Sequence, residues 1–458
     1  MKLRFWLALW VGKIMSITIK VLGRKGTTFP GVVAGKICPQ IIGLLAASYR
    51  DGTVIITGTN GKTTSNNLLA SILNAAGKKV TFNREGANML TGIAGALLQN
   101  ASFTGTPRAS LLLLEVDEAT IPALCKQVTP RLAVITNFFR DQLDRYGELD
   151  TTVKLVKDSL PAETELILNA DDPLVAQIGT SRSGVYYYGV RSLPVSKEES
   201  SETREGRYCA HCGNELCYEL FHYGQLGIYE CRNCGFKRPT PFIEAQEASQ
   251  DENGISFRID GDYRVALQGY YNLYNALAAF CAADRLGIER KDIRRGLLEF
   301  VSDAGRMEQF ALKNCDVTLT LVKNPTGFNQ VLHTLADMKK SLRLLIAIND
   351  LAADGRDISW LWDVDFEILA SEELDIRQLV CSGLRAEDMA LRLKYAGIPE
   401  GKILIEHSLE KAVELLETYS PVKEEALFIL PTYTVLFPMR AILVGKKTGR
   451  NQVKGESA

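Results

Sequence analysis

The chain lacks the features that would take it out of the ordinary globular class. Its charge is nearly balanced, 53 Lys and Arg against 54 Asp and Glu, so no global field favours nucleic acid. Disulfide spacing is absent: of ten cysteines, four form one tight cluster and six are scattered, which fits a reducing cytoplasm and a metal site. No internal repeat and no low-complexity segment breaks the sequence. No apolar run reaches the about 20 residues of a membrane-spanning helix. The short run from Phe5 to Gly12 has no clear small-residue cleavage site after it, which argues against a signal peptide. With 458 residues, 46% hydrophobic and 23% charged, two or three domains are expected.

One shortage is local. No acid precedes Asp51, yet Lys2, Arg4, Lys13, Lys20, Arg24, Lys25, Lys36 and Arg50 lie in that stretch. Leu7, Trp10, Ile14, Ile17 and Val21 recur at helical spacing with lysines flanking the stripe. Two placements fit: a basic amphipathic helix resting on an anionic membrane face, or a helix packed on the next domain.

What the chain does have is organised around Val54-Ile-Ile-Thr-Gly-Thr-Asn-Gly-Lys-Thr-Thr64. Apolar, mostly β-branched residues predict a buried strand, a glycine-bracketed turn follows, and Ser65–Leu73 has helical spacing. Strand, turn and helix start converge backbone N–H groups and a positive dipole end on an anion. Gly58, Thr59, Asn60, Gly61, Lys62, Thr63 and Thr64 are the nucleotide-binding candidates, with Lys62 on the terminal phosphates and the Thr63 hydroxyl on Mg²⁺.

Further apolar runs, Leu111–Val116, Leu132–Asn137 and Leu166–Asn169, alternate with helical stretches and predict a doubly wound α/β sheet. Ligands in such sheets bind beyond the carboxyl ends of strands. Gly58, Glu115, Asn137 and Asn169 are all expected there. Glu115 is the candidate second Mg²⁺ ligand beside Thr63, with Asp117 and Glu118 as rivals or as members of a solvated loop or cap.

Between Leu193 and about Glu247 the composition turns polar. Cys209, Cys212, Cys231 and Cys234 there read C-x₂-C-x₁₈-C-x₂-C, paired knuckles that bring four thiolates around one Zn²⁺. Such a closed site is structural. His211, between knuckle cysteines, is expected to face solvent, and basic residues near the ribbon are too few for a nucleic-acid reading. A second α/β unit begins near Phe310, with strands at Val317–Val322, Leu342–Ile348, Gln378–Cys381, Ile403–Ile405 and Leu427–Leu430.

Together these residues form a family resemblance. Thr57–Thr64 resembles the ATP loop of Mur ligases and folylpolyglutamate synthases. Leu168-Asn-Ala-Asp-Asp-Pro173, Tyr271-Asn-Leu-Tyr-Asn-Ala-Leu-Ala278 and Gly305-Arg-Met307 resemble later motifs of their central domain. Two departures stand out: Gln142 replaces a metal-binding His, and only about fifty residues precede the loop, where a uridine-nucleotide domain is usual. A Mur core with an inserted four-cysteine ribbon is similar to the Mur ligase-like subunits of lipid II isoglutaminyl synthases. Asn83-x-Glu-Gly-Ala-Asn-Met89, Thr136–Gln142 and Asn349–Asp357 share in that likeness.

The resemblance implies a Mur ligase-type P-loop central domain (51–309, ribbon at about 200–245). It also implies a smaller Rossmann-like α/β C-terminal domain (310–445), a basic N-terminal segment (1–50) and a polar tail (446–458). It implies ATP, Mg²⁺ and structural Zn²⁺, nucleotide contacts from Asn272 and Arg306, and amidation of the stem-peptide D-glutamate of lipid II through an acyl phosphate. Lys154 or Lys157 would be the stand-ins for a modified lysine ligand.

The six remaining cysteines sit in apolar or helical settings, so a nucleophilic glutaminase is not expected in this chain. A separate GatD-type glutamine amidotransferase is the implied partner. Asp357, in an acid- and Trp-rich stretch from Asp350 to Glu367, is implied to orient that partner's histidine; a helix cap near Ser359 is the alternative. Other functions that fit are an amino-acid-adding ligase and a non-catalytic zinc-ribbon ATPase. A cytoplasmic protein, in possible contact with the inner membrane face, is the expected setting.

Overall fold

A computed structural model describes residues 2–21, 28–83, 87–140, 148–200, 204–251, 253–301, 305–312, 315–338, 340–371, 374–417 and 425–453. The chain divides into two compact units, the first holding most of residues 1–300 and the second residues 301–458 with two short segments, 140–147 and 267–269.

The first unit is built on a nine-stranded sheet. Its strands are β1 Gly52–Thr57, β2 Val80–Phe82, β3 Leu111–Glu115, β4 Leu132–Ile135, β5 Glu165–Asn169, β6 Val185–Val190, β9 Ile243–Asp251, β10 Gly254–Arg258 and β11 Asp262–Val265. A separate hairpin, β7 Cys217–Tyr223 and β8 Leu226–Glu230, lies between β6 and β9 in the chain. Sheet order is β11-β10-β9-β6-β5-β4-β1-β3-β2. The run from β6 to β2 is parallel, and Ile56 is level with Glu115 on β3 and with Val134 on β4. Residues 54–56, 112–114 and 133–135 are all fully buried, as strands covered on both faces require. The antiparallel extension β9–β11 was not expected. Ile243–Asp251, with sequence IEAQEASQD, carries too little apolar alternation to announce a strand.

Three helices open the chain: α1 Lys2–Val21, α2 Thr28–Ile37 and α3 Ile41–Ala46. The phosphate-loop helix is α4, Lys62–Ala75, and the small-residue helix is α5, Leu90–Asn100. α1 packs on α2, α3 and α5, using Ala8, Leu9 and Gly12; a Cβ on Gly12 would collide with Leu98. Lys13 does not flank an outer stripe. It is buried, and its Nζ donates to the carbonyls of Leu98 and Ala101, closing the C-terminal end of α5, where a cation is favoured. The apolar stripe Leu7, Trp10, Ile14, Ile17, Val21 faces outward. α1 is therefore docked on the domain, by the side opposite its apolar stripe.

The second unit has a six-stranded sheet. Its strands are β12 Glu308–Ala311, β13 Asp316–Leu319, β14 Ser341–Ala347, β15 Ile376–Ser382, β16 Ile403–Ile405 and β17 Glu425–Pro431, in the order β12-β13-β17-β14-β15-β16. Alternate residues of β14 feed two cores: Leu342, Leu344 and Ile346 on one face, Leu345 and Ala347 on the other. Among the described residues only β12 runs antiparallel to its neighbour.

Candidate functional site

The phosphate loop follows β1 and enters α4 at Lys62. Gly58 (φ +122°) and Gly61 (φ +85°) are both in the left-handed half of conformational space. A Cβ at 58 would strike Thr136 and Asn137, and one at 61 would strike the Asn275 carboxamide. Glycine is required twice over. No side chain caps α4, so its first-turn N–H groups remain directed at whatever sits in the loop. Asn137 fixes the loop by a two-point pairing with Asn60, its Oδ1 accepting from Asn60 N (2.9 Å) and its Nδ2 donating to Asn60 O (3.0 Å). Thr136 Oγ1 donates to the same Asn60 carbonyl (2.7 Å), and Thr59 exchanges hydrogen bonds with Phe139. This cradle fits a polyphosphate.

Lys62 is buried, and its Nζ lies 3.1 Å from Glu118 Oε2 and 3.2 Å from Oε1. It also donates to Gly58 O. Glu118 is therefore neither solvated nor a cap: at 4% exposure it is the counter-ion of the phosphate-loop lysine. Asp117 is the cap, its Oδ1 accepting from Ala119 N. Glu115 ends β3 beside Ile56 and is buried. Asn83 clamps its backbone from both sides at 2.8 Å, and Asn88 Nδ2 donates to its Oε1 at 3.4 Å. Thr63, on the first turn of α4, is partly exposed, whereas Thr64 is buried. A carboxylate and a hydroxyl are oxygen donors of the kind Mg²⁺ prefers, and Thr63 and Glu115 are the residues that would hold it.

Behind the loop the later motifs act as supports. Asn169 Nδ2 donates to Thr136 O. Asp172 accepts from Phe138 N and caps the short helix at Pro173. Asp171 is a hub: it accepts from Val190 N, Tyr274 Oη and Arg238 Nε. Asn272 is buried on the helix Tyr271–Arg285, but its Oδ1 is engaged by Asn275 Nδ2. Asn275, one helical turn beyond Asn272 in the same motif, meets the loop at Gly61 and Ser65. Arg306 belongs to the second unit, partly exposed between Gly305 and Met307, both of positive φ.

The four cluster cysteines meet, with all Sγ atoms within 4.8 Å of one another. Cys209–Cys234 and Cys212–Cys231 are 3.5 and 3.4 Å apart. Gly213 N and Gly235 N donate back to Cys209 O and Cys231 O, and both glycines have positive φ, the turn each knuckle needs. Burial pushes the Cys209 thiol up, while hydrogen bonds from Asn233 and Asn214 N hold Cys212 down. Four sulfurs, with no fifth His, Cys, Asp or Glu donor grouped with them among the described residues, fit a closed tetrahedral Zn²⁺. His211 is exposed and rests on the Phe236 ring instead. Arg238, just past the second knuckle, ties the ribbon to Asp171 at 2.6 Å.

In the second unit the stretch after β14 is pinned by Asp350 to Arg385 (2.6 Å) and by the buried Asp354 to Thr434 N (2.8 Å). Trp360 packs on Phe328, whereas Trp362 is exposed. Asp357 is exposed and accepts from Ser359 N (2.8 Å), capping the turn that begins there. Gln142 lies outside the described residues. Lys154 and Lys157 project from the exposed face of the helix Leu149–Ser159.

Known proteins are similar to this chain in sequence and fold. The Mur ligase middle domain matches residues 56–235, and the MurT ligase C-terminal domain matches residues 321–436. The chain is 36% identical to the lipid II isoglutaminyl synthase (glutamine-hydrolyzing) subunit MurT of Staphylococcus aureus (strain COL), across 95% of this chain and 97% of that one. The Streptococcus pneumoniae (strain ATCC BAA-255 / R6) protein of the same description is 35% identical, across 99% and 100%. Among solved structures, a pseudomurein peptide ligase type C from Methanothermus fervidus superposes with a TM-score of 0.65 at 27% identity, covering 86% of this chain and 78% of that one. Likeness from end to end, joined to the phosphate loop and its buried lysine, places the chain in the MurT family of lipid II isoglutaminyl synthase subunits, among the Mur-type ATP-dependent ligases.

Proposed function

We propose that this chain is the synthase subunit of an enzyme that amidates lipid II, using ATP to convert the stem-peptide D-glutamate α-carboxylate to the amide of D-isoglutamine. A carboxylate oxygen attacks the γ-phosphorus of ATP, the bond to the β-phosphate oxygen breaks, and ADP leaves. Ammonia then adds to the carbonyl carbon of the acyl phosphate, inorganic phosphate departs, and a proton is lost from nitrogen. The observation that carries this reading is the Lys62 ammonium, buried at the helix-start cradle, where two anions must be brought together. Thr63 and Glu115 would hold Mg²⁺, which would supply further charge neutralisation when bound. Lipid II incubated with ATP, glutamine and both subunits should lose OH and gain NH₂ by mass spectrometry; unchanged lipid II would refute the proposal.

Ammonia is assigned to a separate GatD-type subunit. Burial pushes Cys125 and Cys315 up to about 11 and Cys381 up to about 12, away from the thiolate a glutaminase needs. Asp357 is assigned to that partner's histidine. Asp357→Asn is expected to abolish glutamine-dependent amidation while leaving the reaction with ammonium salts intact. If ammonium fails to restore product, the assignment is wrong. We assign the reaction to the cytoplasm, where ATP is supplied.

Glu118 is proposed to neutralise Lys62 until a phosphate replaces it. Glu118→Gln removes the competing charge, so ATP should raise the melting temperature of this variant more than that of wild type. A smaller rise, seen only with Mg²⁺ present, would move Glu118 to the metal instead.

A further inference from the structure

α1 gives one side to the protein and leaves the other bare. Leu3, Leu7, Trp10, Ile14, Ile17 and Val21 are each 50–83% exposed. Steps of four and three residues put them on one line, along a helix about 30 Å long. Trp10 Nε1 donates to Phe103 O at 3.1 Å, and the exposed Phe103 ring extends the apolar strip past α5. An apolar line of this size calls for a covering surface.

Charge selects which one. Lys2, Arg4, Lys36 and Arg108 are exposed, and no carboxylate occurs before Asp51. A second copy of the helix would set cations against cations, without the acidic flanks that pair such seams. An anionic lipid surface matches both the charge and the apolar line, and tryptophan favours that boundary. No helix among the described residues is long and apolar enough to cross a membrane, and the bonds of Lys13 to α5 hold α1 lengthwise on the domain.

We propose that α1 lies flat on an anionic membrane, with Leu3, Leu7, Trp10, Ile14, Ile17 and Val21 dipping below the headgroups. The adsorption stands on α1 alone; that it brings the phosphate-loop unit to a lipid-linked substrate rests on the function proposed above.

The test is co-sedimentation of the full chain with vesicles of phosphatidylcholine, with or without phosphatidylglycerol. Binding to phosphatidylglycerol vesicles is expected to be at least about tenfold tighter and to weaken as salt is added. The double variant Leu7→Glu/Ile14→Glu changes two exposed positions, so it should fold normally and amidate a lipid-free stem-peptide substrate at the wild-type rate. Its vesicle affinity should fall by about tenfold or more. Failure of wild type to bind phosphatidylglycerol vesicles overturns the proposal, as does a variant that binds like wild type. A wild-type dimer that ignores vesicles and is dissociated by the same substitutions would assign the stripe to a second copy. Vesicle binding without amidation of the soluble substrate would instead refute the function and leave the membrane contact standing.

Discussion

Lys62→Ala is expected to lower ATP-dependent amidation by about 10²–10³-fold, the usual effect of removing one preorganised charge from a transition state. Lys62 is 8% exposed and held within the loop by the Gly58 carbonyl, so its charge acts in a site with little water to screen it. Alanine also strips Glu118 of the ammonium 3.1 Å away. Stranding one member of a buried pair costs about 3–5 kcal/mol, so the single variant would lose stability as well as rate. The double variant Lys62→Ala/Glu118→Gln separates the two effects. Its melting temperature should recover towards wild type while its rate stays low. Recovery of both would mean that the lysine holds the loop together and does no chemistry. Full output from Lys62→Ala with its glutaminase partner would end the proposal outright.

Loss of the ribbon's metal is the second large effect. Zinc-binding free energies in small Cys-rich modules run to about 10–16 kcal/mol, comparable to the whole stability of a typical domain, about 5–15 kcal/mol. The knuckle end of the ribbon has only a small core of its own, among them Leu216, Tyr229 and the buried Cys209 and Cys231. Cys231→Ser is therefore expected to abolish a one-to-one zinc content measured by elemental analysis and to unfold the β7–β8 hairpin. The damage should spread. Arg238 would no longer be held on Asp171, which in turn fixes Tyr274 on the helix that carries Asn275 to Gly61. Weakened ATP binding in the zinc-free protein is the expected consequence. A zinc-free chain with unchanged melting temperature and ATP affinity would show that the cluster is dispensable.

The sequence made some of this plain and hid the rest for identifiable reasons. Continuous apolar runs such as Leu111–Leu114 could only be buried strands, and once those were placed, Gly58, Glu115, Asn137 and Asn169 had to gather at one sheet edge. The cysteine knuckles were equally open, because their geometry is local. Glu118 was not: its choice of Lys62 over solvent depends on the short helix after β3 turning back across the loop, 56 residues away in sequence. The strands β9–β11 escaped notice because their side chains alternate weakly. α1 shows the limit of periodicity most clearly. Its spacing identified a stripe, but a stripe does not say which side meets the protein, and here Ala8, Leu9 and Gly12 took that role.

Lys13 has a mechanical meaning. A surface helix that meets lipid often has to let go of its own domain first, and that release opposes adsorption. Here the ammonium locked onto the carbonyls of Leu98 and Ala101 keeps the inner side committed. The body would settle on the bilayer as a hull does on water, with its keel already fixed in place.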